Sequence, residues 1–216
     1  MTYVSEDMEE GYPGNLSVTI KYEIIENEMK ITYQATTDKN TVINLTNHAY
    51  FNLDGHLNWG KLNRHEITMP SEYVLETDED SIPTGEFIDV SRTAFDLRNG
   101  VLLNDQILEF VPGNNGYDHT YVLKNAASPD EVFATRLESF SSGRVVEVYT
   151  TMPAVQFYTA NIFTGQTDKE NVVYERQSCL ALETQYFPDS PNRPEFPSTV
   201  LSPDSEFYET ARFVFK

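Results

Sequence analysis

Leu16, Val18, Ile20, Tyr22 and Ile24 alternate with Ser17, Thr19, Lys21 and Glu23. A period of two fits only an extended chain with one buried and one wet face. Glu26-Asn27-Glu28 reads as a short turn, and Met29, Ile31, Tyr33 and Ala35 then resume the alternation, so residues 16–35 predict an antiparallel hairpin. Further strands are expected at 41–45, 64–69, 117–123, 132–139, 144–152 and 155–158. Another is the apolar run 178–182, which stops at Glu183, and the last is 206–215, where Phe207, Ala211, Phe213 and Phe215 share a face. Turn formers punctuate the series at Asp54-Gly55-His56, Ile82-Pro83-Thr84-Gly85, 112–116, 125–130 and Ser141-Ser142-Gly143. Residues 1–15 read as a loose acidic lead-in and 164–170 as a polar loop, and 94–110 has room for a short helix. There is no long helical periodicity, heptad, repeat or low-complexity tract. Many short strands between Gly, Pro and Asn turns imply an all-β fold, a large antiparallel β-sandwich.

Composition narrows the class of function. A chain of 216 residues is expected to form one domain, 1–216. Fifteen Lys and Arg against 34 Asp and Glu give a net charge of -19, which disfavours nucleic acid and anionic membranes as partners. No apolar run approaches the roughly 20 residues of a membrane-spanning helix. The opening MTYVSEDMEEGYPG is acidic and without an apolar core, so no signal peptide is expected. The one cysteine, Cys179, suits a reducing compartment and reads as a small apolar residue of a strand; a cytoplasmic location follows as an expectation. The sequence has no CxxC, HExxH, phosphate loop, GxGxxG or GxSxG, so no metal or coenzyme is expected.

What stands out is polar chemistry breaking into apolar strands. Residues 182–192, LETQYFPDSPN, place Glu183 where an apolar run ends, under a loop stiffened by Pro188 and Pro191. A carboxylate held at the mouth of a strand is suited to act as a partly desolvated general base. His48 lies within NLTNHAYFNL, Asp118 and His119 within GYDHTYVL, and Gln156 within AVQFYTAN. Each also has a plain structural reading. Glu183 is then a strand-end residue in solvent, and His48 a satisfied core or surface histidine. Asp118 caps its own loop, His119 packs on Tyr121, and Gln156 is a buried amide bonded to backbone.

Together the strings are more specific. NLTNHAYFNL, GYDHTYVL, AVQFYTANIFTG and LETQYFPDSPNRPEFPSTVLSPDSEF closely resemble, in order and spacing, the aldose 1-epimerase (galactose mutarotase) family. EGYPGNLSVTI and SIPTGEFIDVSRTAFDLRNG fit it too, so the resemblance runs along essentially the whole chain. It implies a β-sandwich of the galactose mutarotase type and interconversion of the α and β anomers of free hexoses such as galactose and glucose, without a cofactor. By the same resemblance, Glu183 takes the proton from the anomeric hydroxyl and His48 gives one to the ring oxygen. Asp118 and Gln156 bind sugar hydroxyls, with Ala49 and Tyr50 beside the acid. The family also carries a portion ahead of GYPGN that supplies an Asn-Arg pair and a second histidine in a His-Gly-Gly context; no HGG string occurs in these residues. Strands that would pair with that portion are expected to expose edges and favour self-association. The rival expectation is a sugar-binding β-sandwich without turnover.

Overall fold

The computed structural model describes residues 1–58, 62–104, 116–124, 130–167 and 169–216. Its strands are β1 (Thr2–Ser5), β2 (Leu16–Ile25), β3 (Glu28–Thr37), β4 (Thr41–Val42), β5 (Tyr50–Phe51), β6 (His65–Thr68), β7 (Tyr73–Thr77), β8 (Pro83–Asp89) and β9 (Val101–Leu103). They continue as β10 (Asp118–Val122), β11 (Val132–Ser139), β12 (Val145–Thr150), β13 (Ala154–Tyr158), β14 (Thr164–Thr167), β15 (Val173–Glu175), β16 (Leu180–Gln185), β17 (Val200–Leu201) and β18 (Phe207–Phe215). Among the described residues there is no α-helix, only short 3₁₀ turns.

Eight strands form one antiparallel sheet in the order β1-β2-β3-β18-β12-β11-β6-β9, and six form a second, β5-β16-β13-β10-β7-β8. Two small ribbons, β14-β15 and β17-β4, complete the set. The two large sheets bury their facing side chains in one continuous apolar cluster. Ile31, Val148 and Phe213 enter it from the first sheet, and Tyr121, Phe157 and Leu182 from the second. Phe51 stacks on Phe213 between them, ring centroids 5.8 Å apart. Each fully buried side chain of this size contributes about 2–3 kcal/mol of transfer free energy. This is the expected sandwich. Its coverage is uneven at one end: on β2, Leu16, Val18 and Ile20 pack on the core, while Tyr22 and Ile24 on the same face remain 45% and 78% exposed.

The β2–β3 hairpin follows the predicted register, from Leu16↔Thr37 to Ile25↔Glu28. Several segments depart from expectation. Thr2–Ser5 is not loose; it pairs with β2 as an edge strand, where its exposed side chains give no alternation to read. The expected strand at 41–45 shortens to Thr41–Val42, paired with β17. Ile82-Pro83-Thr84-Gly85 is not the turn. The chain reverses at 78–81, where Asp78 Oδ1 accepts from the amides of Asp80 and Ile82, and Pro83 opens the edge strand β8, where a missing N–H is tolerated. Residues 94–100 form successive turns rather than a helix, with Phe95 and Leu97 buried. Residues 101–103 pair with β6, and 105–110 lie outside the described residues, as do most of the expected turns at 112–116 and 125–130. The expected polar loop at 164–170 starts as a ribbon, β14 on β15; its first strand is exposed throughout, which removes the periodic signal.

Candidate active site

Strand β16 does not stop at Glu183; it continues to Gln185, so the carboxylate sits mid-strand. Alternation assigns the two faces. Leu180 and Leu182 of β16, Val155 and Phe157 of β13, and Tyr121 of β10 point into the core. Their neighbours in sequence therefore line up on the outer face. Cross-strand register sets those neighbours in rows. Thr120, Gln156 and Glu183 are opposite one another on β10, β13 and β16. One step along, Asp118, Tyr158, Ala181 and Tyr50 form a row across four strands. Ala181 is the small member of that row, buried in a cluster with Tyr158 and Cys179. The Tyr50 and Tyr158 rings flank the row with centroids 6.4 Å apart.

His48 reaches this face from the irregular segment before β5. Asn47 Oδ1 accepts the amide of Ala49 at 3.0 Å and shapes the turn. The imidazole leans on Tyr50 at 5.1 Å and meets Tyr158 edge-on at 6.4 Å. Its Nε2 lies 3.4 Å from Glu183 Oε1. Beyond β5, Asn52 Nδ2 donates to Ser178 O at 2.8 Å, tying the histidine's strand to the approach to β16.

Glu183, Asp118, Gln156, His48 and Tyr50 thus surround one open cleft of about 780 Å³. Glu183 is only 7% exposed. Burial raises its carboxyl above the ordinary range, His48 opposes the rise, and the negative charge of Asp118 adds to it. Burial also raises Asp118, against the hydrogen bond from Gln156 and the attraction of His48. Gln156 Nε2 donates to Asp118 Oδ1 at 2.7 Å. Gln156 is therefore bonded to side chains, and the Asp118 carboxylate accepts from Gln156; most of the loop that Asp118 is expected to cap lies outside the described residues. Burial pushes the Tyr50 hydroxyl up to about 12. A half-exposed histidine beside a buried carboxylate is a pair able to give a proton at one atom and take one at another.

Ala49 is exposed and is not among the residues lining the cleft. His119 faces the core. It packs on Phe95 at 4.6 Å rather than on Tyr121, accepts the Asp118 amide at Nδ1, and is lowered by burial to about 4. Cys179 is fully buried beneath the tyrosines, its thiol pushed up to about 12. Tyr158, Asn161, Arg176 and Gln185 also line the cleft and escaped the reading of the sequence. Tyr158 and Gln185 were within reach of it, each lying two residues past a candidate on the same strand face. Arg176 and Asn161 come from turns, which carry no periodic signal. A second cavity of about 390 Å³ lies beside Leu16, Ile43 and Phe187. Its one carboxylate, Asp189, is committed to Asn192 and Arg193, so it offers no acid–base pair. Among the described residues no cluster of three or more His, Cys, Asp or Glu could hold a metal ion, and no helix is long and apolar enough to cross a membrane.

Comparison with known proteins identifies the family. The profile of the aldose 1-epimerase family matches residues 1–213. Human galactose mutarotase is 44% identical over 213 residues, which is 98% of this chain and 61% of the human protein. The aldose 1-epimerase of Escherichia coli K12 is 35% identical, over 98% of this chain and 62% of that protein. Among solved structures, a C. elegans aldose epimerase homologue superposes with a TM-score of 0.88 at 26% identity, covering all of this chain and 64% of that one. Galactose 1-epimerase from Lactobacillus acidophilus gives 0.82 at 26%, over 61% of its length. The chain thus spans a little over three-fifths of the relatives it matches, and the family profile covers nearly all of it: it belongs to the aldose 1-epimerase family.

Proposed function

We propose that this chain interconverts the α and β anomers of a free hexose, galactose or glucose, by acid–base opening and reclosure of the ring. The observation that carries the reading is the placement of His48 Nε2 3.4 Å from Glu183 Oε1, at one cleft, on oppositely mounted elements. The anomeric hydroxyl and the ring oxygen are bonded to the same carbon, so an acid and a base this near can address both. Glu183 removes the hydroxyl proton as the bond from the anomeric carbon to the ring oxygen breaks, and His48 protonates that oxygen. The product is the open-chain aldehyde. Rotation about the adjacent carbon–carbon bond presents the other carbonyl face, and reclosure returns both protons. Asp118 and Gln156 orient the sugar through its hydroxyls, and Tyr50 supplies an apolar wall. The names of the relatives, galactose mutarotase and aldose 1-epimerase, support the substrate class.

The same reading treats residues 1–216 as one domain, places the protein in the cytoplasm in keeping with its single buried thiol, and adds a propensity to self-associate. The last point rests on the outer edge of β1 and the exposed Tyr22 and Ile24 beside it; sedimentation that stays monomeric across a wide concentration range would remove it. The function is tested by polarimetry on freshly dissolved α-D-galactose and α-D-glucose. Relaxation faster than buffer, abolished by Glu183→Gln and by His48→Gln, is expected. Rates equal to buffer for the parent chain would overturn the catalytic reading and leave a sugar-binding β-sandwich.

A further inference from the structure

Thr120 belongs to none of the motifs' chemistry, yet it completes a chain of side chains on the outer face of the six-stranded sheet. It lies on β10 two residues beyond Asp118, in register with Gln156, and is 4% exposed. Its Oγ1 donates to Gln156 Oε1 at 2.5 Å, and Gln156 Nε2 donates to Asp118 Oδ1 at 2.7 Å. A primary amide has a donor end and an acceptor end. Turned over, Gln156 would set its oxygen against Asp118, and two acceptors cannot bond unless the carboxyl carries a proton. The orientation present is the one that matches an ionised Asp118, and it needs a donor at the far end of the amide. Thr120 supplies it. We propose that Thr120 is a positioning residue that holds the Gln156 amide with its nitrogen toward Asp118, and so keeps Asp118 an ionised acceptor for a sugar hydroxyl.

The last clause, on the sugar, rests on the function proposed above; the hydrogen-bonded chain does not. Burial works against the charge on Asp118, whose negative charge in turn raises Glu183, its neighbour in the cleft. Tyr158 and Gln156 face Asp118 from β13, His48 and Tyr50 from β5 and the segment before it, Glu183 from β16, and Arg176 lines the same cleft from the turn before β16. Of these, the Gln156 amide is the group that donates to the carboxylate. Untethered, it would bond Asp118 only part of the time. Valine matches threonine in shape but not in its hydroxyl, so the exchange isolates that donor.

The test is a carbon-detected NMR titration of the Asp118 carboxyl, assigned with Asp118→Asn, in the full chain and in Thr120→Val and Thr120→Ser. Loss of the tether is expected to raise the titration midpoint by about one pH unit in the valine variant, the scale of one carboxylate hydrogen bond. The serine variant, which keeps the hydroxyl, is expected to titrate like the parent. Should the valine variant fail to fold, Thr120→Ala carries the same expectation. A midpoint unmoved in the hydroxyl-less variant, or moved equally in the serine variant, would overturn the proposal. Polarimetry adds an independent arm, with KM for galactose raised about 3- to 10-fold in the valine variant and restored by serine. A parent chain without mutarotation would remove the function proposed above, while the titration would still decide the role of Thr120.

Discussion

The proposed base and the proposed acid of this site are mounted in opposite ways. Glu183 is mid-strand in β16, paired with β13 on one side, next to β5 on the other, and 7% exposed. His48 stands on an irregular segment with its side chain 50% exposed. The sheet fixes the carboxylate in place and, by withdrawing it from water, raises its proton affinity toward the working range of a base. The loop leaves the imidazole in contact with solvent, located chiefly by Tyr50 and Tyr158. One partner is withdrawn from solvent and the other is open to it.

The contrast can be broken most severely at the carboxylate. Glu183→Gln is expected to cut kcat for mutarotation by about 10²- to 10⁴-fold, read by polarimetry, because the other carboxylate among the described residues lining the cleft, Asp118, is engaged by Gln156. His48→Gln should lose less, about 10²-fold, since water reaches the exposed side and can deliver a proton in its place; equal losses would erase the distinction drawn here. A third change attacks the sheet-borne side without touching a titratable group. Gly116 has φ +149, and a Cβ there would stand 2.0 Å from Asn161 Oδ1 and 2.8 Å from Thr159 Oγ1. Asn161 Nδ2 and the Thr159 amide both hold Tyr117 O, next to Asp118. Gly116→Ala should therefore cost about 1–3 kcal/mol in denaturant unfolding and raise KM; unchanged stability would mean that this corner yields freely.

The smallest effect is a dependence on pH. Because burial raises the folded-state affinity of Glu183 for its proton, activity should fall as pH drops through a value above the ordinary carboxylate range of about 4.3. Stability runs the other way. A carboxyl with a raised folded pKa binds protons on folding, so its penalty is fully present above that pKa, shrinks as pH falls through it, and is gone below the unfolded value. Thermal melts of Glu183→Gln should accordingly exceed the parent's above the raised pKa and converge with it in acid. Parallel curves at all pH values would show that burial does not set this group's affinity.

Much of this was legible in the sequence, and for a physical reason. A strand with one buried face writes its period into the chain, so the hairpin of β2 and β3 and the strands β10 to β13 could be drawn from alternation. The motifs bring His48, Asp118, Gln156 and Glu183 forward as candidates; cross-strand register gathers the last three on one face, and His48 joins them from the segment before β5. What could not be read lacked a period or a partner in sequence. The edge strand β1 is exposed along most of its length and β14 throughout. Pro83 reads as a breaker unless the strand is known to be an edge. Glu183 reads as a strand end because the apolar run stops there, whereas β16 continues to Gln185 with Glu183 and Gln185 on the outer face that lines the cleft. Thr120 stayed invisible, since a threonine in a strand is unremarked until its hydroxyl is seen to meet Gln156.

The buried thiol has a practical corollary. Cys179 has no solvent-exposed surface and a thiol pushed up to about 12, so almost none of it is thiolate at neutral pH and maleimides should pass it by. The native chain is therefore already a clean background for single-site labelling. A cysteine introduced at the exposed Ala49 could carry a spin label or fluorophore directly beside His48, testing whether that segment responds to added sugar, with the native thiol left in place.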